Sequence, residues 1–141
     1  MTGPLPVPVD VAELVVRALR PQLTARPEPV LDGLKVSTQV GTGPDGGPPS
    51  LPWLLVAEDG HTWTWPAVQR VVIRLTCWHH SEHAAKAAVA LALALLCAPN
   101  PAQGLTGGEP VTGPLAGIDP HTDRPLATAA AAVRARTPTR P

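Results

Sequence analysis

Residues 77–83 read CWHHSEH and gather a thiol, three imidazoles and a carboxylate within seven positions. These are the ligand types of a zinc site. His79 and His83 stand four apart, a spacing that places two imidazoles on one side of a helix, and Cys77 or Glu82 would supply a third ligand. A small metal-dependent enzyme built on Cys77, His79, His80 and His83 is therefore one reading. The other is a strand-to-helix junction. Ser81 is a natural N-cap and Glu82 suits the positive end of a helix dipole, so His79 and His80 precede the helix and lose the i, i+4 geometry. Cys77 falls on the apolar side of the preceding strand, where cysteine behaves as a small hydrophobe. No second ligand pair, as in Cys-x-x-Cys or His-Glu-x-x-His, accompanies the cluster. The junction accounts for every residue, and the sequence assigns no metal, cofactor or catalytic residue here.

Other chemistry finds less support. GTGPDGG and GLTGGEP are glycine-rich, but neither links a strand to a helix opening with Lys-Ser/Thr, as a phosphate cradle requires. There is no Gly-x-Ser-x-Gly elbow. Glu58 with Asp59, and Asp119 with Asp123, read as turn residues. Trp63 and Trp65 could stack bases, yet no basic stripe surrounds them, so they read as packing residues along with Trp78 and the cap Ser81. Arg70, Arg74, Arg134 and Arg136 fall on the solvent side of adjacent expected strands. They would form a basic patch, either a solvated face or a contact for acidic neighbours or passing DNA.

The elements that position these residues follow from periodicity. Asp10 and Glu13 read as a capping box, and Val11, Leu14, Val15 and Leu19 predict a helix from Val11 to Arg20, ended by Pro21. Residues 34–40 alternate as a strand, residues 41–50 form a loop, and residues 51–65 read as a hairpin turning at Glu58-Asp59-Gly60. The next strand points Val71, Ile73, Leu75 and Cys77 one way, and Arg70, Val72, Arg74 and Thr76 the other. A helix then runs from Glu82 to Cys97, stopped by Pro99, with a stripe of Ala84, Ala88, Leu91 and Leu95. Being apolar nearly all round, it should be buried on more than one side. Residues 98–125 read as a Pro/Gly-rich loop holding a possible short strand at Glu109–Ile118. Residues 126–136 alternate as a final strand despite their alanines. The expected architecture is α+β: a mostly antiparallel sheet of four to five strands with two helices packed on one face.

Composition sets the limits. The 141 residues suit a single domain, with a Pro-rich N-terminal arm (1–9) and a C-terminal arm (137–141). Eleven basic residues balance eleven acidic ones, so no net field draws the chain to nucleic acid or anionic lipid. Nineteen prolines and twelve glycines would suggest disorder, but 44% hydrophobic content argues that they punctuate ordered segments. Cys77 and Cys97 lie on separate elements and make no disulfide framework, which suits synthesis in a reducing cytoplasm. The first residues lack the basic and apolar regions of a signal peptide, and the run from Ala87 to Ala98 is too short to span a bilayer, so a soluble protein is expected.

The order of elements, the segment VVIRLTCWHHSEHAAKAAVALALALL and the tail DPHTDRPLATAAAAVRAR together resemble the tail terminator proteins of long-tailed, siphovirus-like actinobacterial bacteriophages. The resemblance covers nearly the whole chain and implies structural work, not catalysis. It implies a homohexameric ring on the last ring of tail tube protein, which stops tube polymerisation and joins the tail to the head connector. Such a protein resides in the virion at the head-proximal end of the tail, after synthesis in the host cytoplasm. DNA only passes through its channel, and no membrane is involved. Arg70, Arg74, Arg134 and Arg136 would then face the channel or an acidic partner. The loop 41–50 and the segment 99–125 would carry subunit contacts, and the two arms would reach neighbouring rings. Another neck, connector or head-completion protein is the nearest alternative.

Overall fold

The protein is described by a computed structural model over residues 3–98 and 104–141. Asp10 starts the first helix, α1 (Val11–Thr24), by accepting the Glu13 N–H at 3.2 Å; the Glu13 carboxylate turns to Arg17 and does not close a capping box. The helix does not end at Arg20. Pro21 lies inside it, and the last turn persists because Leu23 is buried and the Ala25 N–H closes on Pro21 O at 3.0 Å. Ser81 accepts the Ala84 N–H at 3.0 Å and opens the second helix, α2 (Glu82–Cys97), with both ends where the sequence places them.

Seven strands accompany the helices among the described residues: β1 (Leu5–Pro6), β2 (Lys35–Ser37), β3 (Trp53–Thr64), β4 (Val68–Trp78), β5 (Leu105–Ile118), β6 (Pro125–Arg136) and β7 (Thr139–Arg140). Five form one mixed sheet in the order β2-β3-β4-β6-β5, antiparallel except for β2 beside β3. The fold is α+β, with both helices on one face, as expected. The β4–β6 register runs unbroken from Val68↔Arg136 to Trp78↔Leu126. Val71, Ile73, Leu75 and Cys77 meet Ala127, Ala129, Ala131 and Val133 on the covered face, beneath Val11, Val15 and Leu19 of α1 and Ala85, Ala88, Val89 and Ala92 of α2. Residues 126–136 are strand because β4 and β5 pair with them on both sides, which overrides alanine's helix preference.

Several expectations are corrected. There is no turn at Glu58-Asp59-Gly60: β3 continues to Thr64, and Asp59 is the extra residue of a bulge. The reversal occurs at 65–67, closed by Ala67 N–H to Thr64 O at 3.0 Å. β2 is shorter than 34–40. The strand expected at Glu109–Ile118 starts earlier, at Leu105, so half of the expected loop 98–125 is the long strand β5, while residues 99–103 lie outside the described residues. The buried stripe of α2 is Ala85, Ala88, Val89, Ala92 and Leu96, rotated from the expected one, and Ala90 and Ala94 face solvent. The helix is thus covered on one side, because the sheet and α1 lie beneath and beside it with no layer above. Among the described residues no helix is long and apolar enough to cross a membrane.

The two arms pair with each other. β1 and β7 form a separate antiparallel ribbon, Leu5↔Arg140 and Pro6↔Thr139. Buried Gln69 clamps the arm to the sheet, accepting the Val9 N–H at 2.8 Å and donating to Val9 O at 2.9 Å.

The contact between α2 and β5 is close enough to require glycine. A Cβ on Gly108 would stand 2.4 Å from the Leu96 carbonyl oxygen, whereas one on Gly113 would meet nothing within 4 Å. Gly108→Ala should therefore lower stability by about 1–3 kcal/mol, and Gly113→Ala should leave it nearly unchanged. Urea denaturation of the two variants checks this; equal midpoints would show that the helix–strand approach is not tight.

Candidate functional site

The opening cluster takes up a junction geometry. Cys77 is buried at the end of β4, and its thiol contacts Trp78 O at 3.6 Å. Burial, slightly offset by a backbone hydrogen bond from Trp53, pushes this thiol up to about 12. His79 is 6% exposed and both ring nitrogens are engaged: Nε2–H donates to Val30 O and Nδ1 accepts the His80 N–H, each at 2.8 Å. That tautomer follows from the carbonyl partner. His80 and His83 are exposed, with the His80 ring edge-on to His79 at 5.4 Å. Among the described residues, no three His, Cys, Asp or Glu side chains are grouped so as to hold a metal ion. His79 ties the 3-10 turn at Pro29–Leu31 to the start of α2.

All four sequence-selected arginines lie on the sheet face that no helix covers. Arg70 and Arg134 are directly opposite in the β4–β6 register. Glu109 of β5 sits between them, its Oε1 3.8 Å from Arg70 and 3.9 Å from Arg134. Arg74 pairs with Asp59 of the bulge. Arg136, at the end of β6, has no ion pair among the described residues. The patch is therefore a lattice of shared charges with its uncompensated guanidinium at the arm end.

The tryptophans divide. Trp63 donates to Thr137 Oγ1 at 3.0 Å, fastening the turn after β3 to the C-terminal arm. Trp65 meets it edge-on at 5.1 Å but is 64% exposed, so it projects and is not a core residue. Trp78 donates to Asp119 Oδ2 at 2.9 Å. Asp119 also accepts the His121 N–H and the Thr122 hydroxyl, both at 2.9 Å, and so organises the turn 119–124. Desolvation alone would raise the Asp119 carboxyl, but the bonds from Trp78, His121 and Thr122 outweigh it and hold it below its ordinary value. That turn packs against the loop 41–50: Arg124 pairs with Asp45 at 2.6 Å and Gly47 abuts Thr122. Both segments expected to meet neighbours thus also bind each other.

Exposed apolar side chains stand at two places among the described residues. Leu5 and Trp65 project near the arms and the 65–67 turn, where Pro4, Pro6, Pro66 and Val68 line a separate open groove of about 680 Å³. Val111, Leu115 and Ile118 project from β5 and are 51%, 71% and 48% exposed. Periodicity gave no sign of Gln69, Glu109 or Leu115 as structural or surface determinants, since each depends on which strands become neighbours. Asp119 was more accessible, because Asp followed by Pro and a hydroxyl residue is an Asx-turn pattern.

No protein-family model matches the chain, and no curated protein is significantly similar to it.

Two outcomes are expected. In the folded protein a thiol reagent at mildly alkaline pH should modify half-exposed Cys97, slowly because burial and nearby Glu109 raise its pKa, and should spare Cys77 until unfolding. Mass spectrometry counting one adduct before denaturant and two after checks this. Because the folded-state pKa of Asp119 is depressed, its contribution is complete above the ordinary carboxylate range and disappears as pH falls through the lower folded value. Asp119→Ala should be clearly less stable than the parent at pH 7, with the gap narrowing in acid. Urea melts across that range report it; a gap independent of pH would mean that the carboxylate charge is not what the turn uses.

Proposed function

We propose that this chain is a structural virion protein: a ring-forming tail terminator that caps the tail tube, stops its polymerisation and forms the joining surface to the head connector. The observation that carries the reading is the bare apolar surface of β5. Leu115, Val111 and Ile118 stand on a fourteen-residue edge strand. Large apolar side chains this exposed along an edge strand suit contact with another protein. The reading also rests on the family layout that the sequence resembles. An uncovered sheet face, an α2 with one open side and projecting arms all suit a subunit held by neighbours.

In this reading the ring is homohexameric and its partners are tail tube protein on one side and the connector on the other. Arg70, Arg74, Arg134 and Arg136 line the channel or an acidic partner surface. Glu109 and Asp59 offset half of their charge, which fits DNA that passes through without being retained. A different neck or head-completion protein would share the ring but not its position.

Native mass spectrometry of the purified chain should show a metal-free hexamer. Immunogold labelling of virions of the encoding phage should mark the head-proximal end of the tail. Label in the capsid-proximal neck above the tail would favour the head-completion alternative. A monomer binding one zinc, lost on His79→Ala with His83→Ala, would replace the reading by a metal-dependent enzyme.

A further inference from the structure

Gln69 ties the N-terminal arm to β4 through both halves of its amide. Oε1 accepts the Val9 N–H at 2.8 Å and Nε2 donates to Val9 O at 2.9 Å. These backbone partners settle which end of the amide is which, since the reverse orientation would set a donor against the N–H and an acceptor against the carbonyl. Nε2 has one further proton to give, and His61 Nε2 lies 3.2 Å away. A ring nitrogen that receives this proton must itself carry none. The ring proton is then on Nδ1, which stands 3.4 Å from Glu58 Oε1. One buried amide thus dictates the tautomer and the charge of an imidazole: while the arm is docked, His61 is neutral, with Nδ1–H directed at Glu58.

The surroundings leave this arrangement to Gln69 and Glu58. β2 pairs with Trp53–Leu55, so further along, at His61, β3 is the outer strand. His61 stands opposite Val71, on the face that carries the helices, whereas Arg70 and Arg136 alternate to the other face. The carboxylates that follow Val9 are engaged elsewhere: Asp10 accepts the Glu13 N–H, and Glu13 pairs with Arg17. Among the described residues Glu58 is the one charged group paired with His61.

We propose that His61 is an acid-sensitive latch for the N-terminal arm. A second proton, taken from solvent, turns Nε2 into a donor that faces a donor. If the amide turned over to accept it, both bonds to Val9 would become mismatched. If the amide stays, the imidazolium moves off toward Glu58 and solvent, and a buried amide proton loses its partner. Either way the clasp weakens. Docking is therefore complete above the pH range in which imidazoles titrate, and it loosens as pH falls through that range. The arm swings without detaching, because β1 stays joined to β7, with the Val7 N–H on Pro138 O at 3.1 Å. The latch does not depend on the ring reading; it sets when residues 3–9 are free to meet another surface.

Hydrogen exchange of the full chain, followed by NMR and corrected for intrinsic rates, tests this at the Val9 amide, with Ile73 in the core as reference. Between about pH 7.5 and about pH 5.5, protection of Val9 should fall on the order of tenfold, as for the loss of one or two neutral hydrogen bonds, while Ile73 is unchanged. His61→Gln, whose side chain offers an acceptor and does not titrate, should keep Val9 protected at both. Gln69→Met should expose Val9 at both. Urea melts verify that each variant folds. Val9 protection that is independent of pH in the parent would overturn the latch. So would a fall that survives in His61→Gln, or a Val9 amide that stays protected in Gln69→Met.

Discussion

A core without phenylalanine or tyrosine must be thin, and the close approach that follows is the constraint on which this fold depends. The sequence contains neither residue, and its four tryptophans remain at the periphery of the sheet. The interior is therefore filled by Val, Leu, Ile and a large share of Ala. Small side chains fill space only when the backbones come together. β6 presents Ala127, Ala129, Ala131 and Ala135 to the helices, and α2 answers with Ala85, Ala88 and Ala92. The same closeness brings the Leu96 carbonyl against Gly108, so that at this crossing β5 has no room for a side chain.

Polar groups then do the work that large apolar residues would do elsewhere. Gln69 substitutes for a strand by meeting both backbone groups of Val9. His79, joined to Val30, fastens the segment before β2 to the start of α2. Asp119 gathers Trp78, His121 and Thr122 at the far end of the sheet. None of the described buried side-chain polar atoms lacks a partner, so these ties carry little desolvation penalty. The histidine-rich stretch that suggests metal chemistry is one of these fasteners.

The sequence was most legible where a local rule decides. The Ser81 cap, the period-two face Val71–Ile73–Leu75–Cys77 and the stop at Pro99 place β4 and α2 correctly. It was least legible where tertiary contact overrode such rules. Pro21 should end a helix, but buried Leu23 holds one more turn. Glu58-Asp59-Gly60 looks like a hairpin turn, yet pairing with β4 on both sides makes it a bulge. For the candidate contact surfaces, the four arginines could be placed on one face from alternation. The bridging of Arg70 and Arg134 by Glu109 could not, because β5 pairs with β6 and brings Glu109 to that face only in the assembled sheet.

The ribbon of β1 and β7 has a mechanical consequence. Leu5 and Arg140 face each other at its open end, so tension applied through the two arms acts across the ladder and not along it. The pairs then separate in succession, and the load next reaches the Gln69 clasp on the N-terminal side and Thr137, held by Ala67 and Trp63, on the C-terminal side. An assembly pulled through these arms would give first at a short, reversible zipper, and the alanine-lined core would be shielded from the strain.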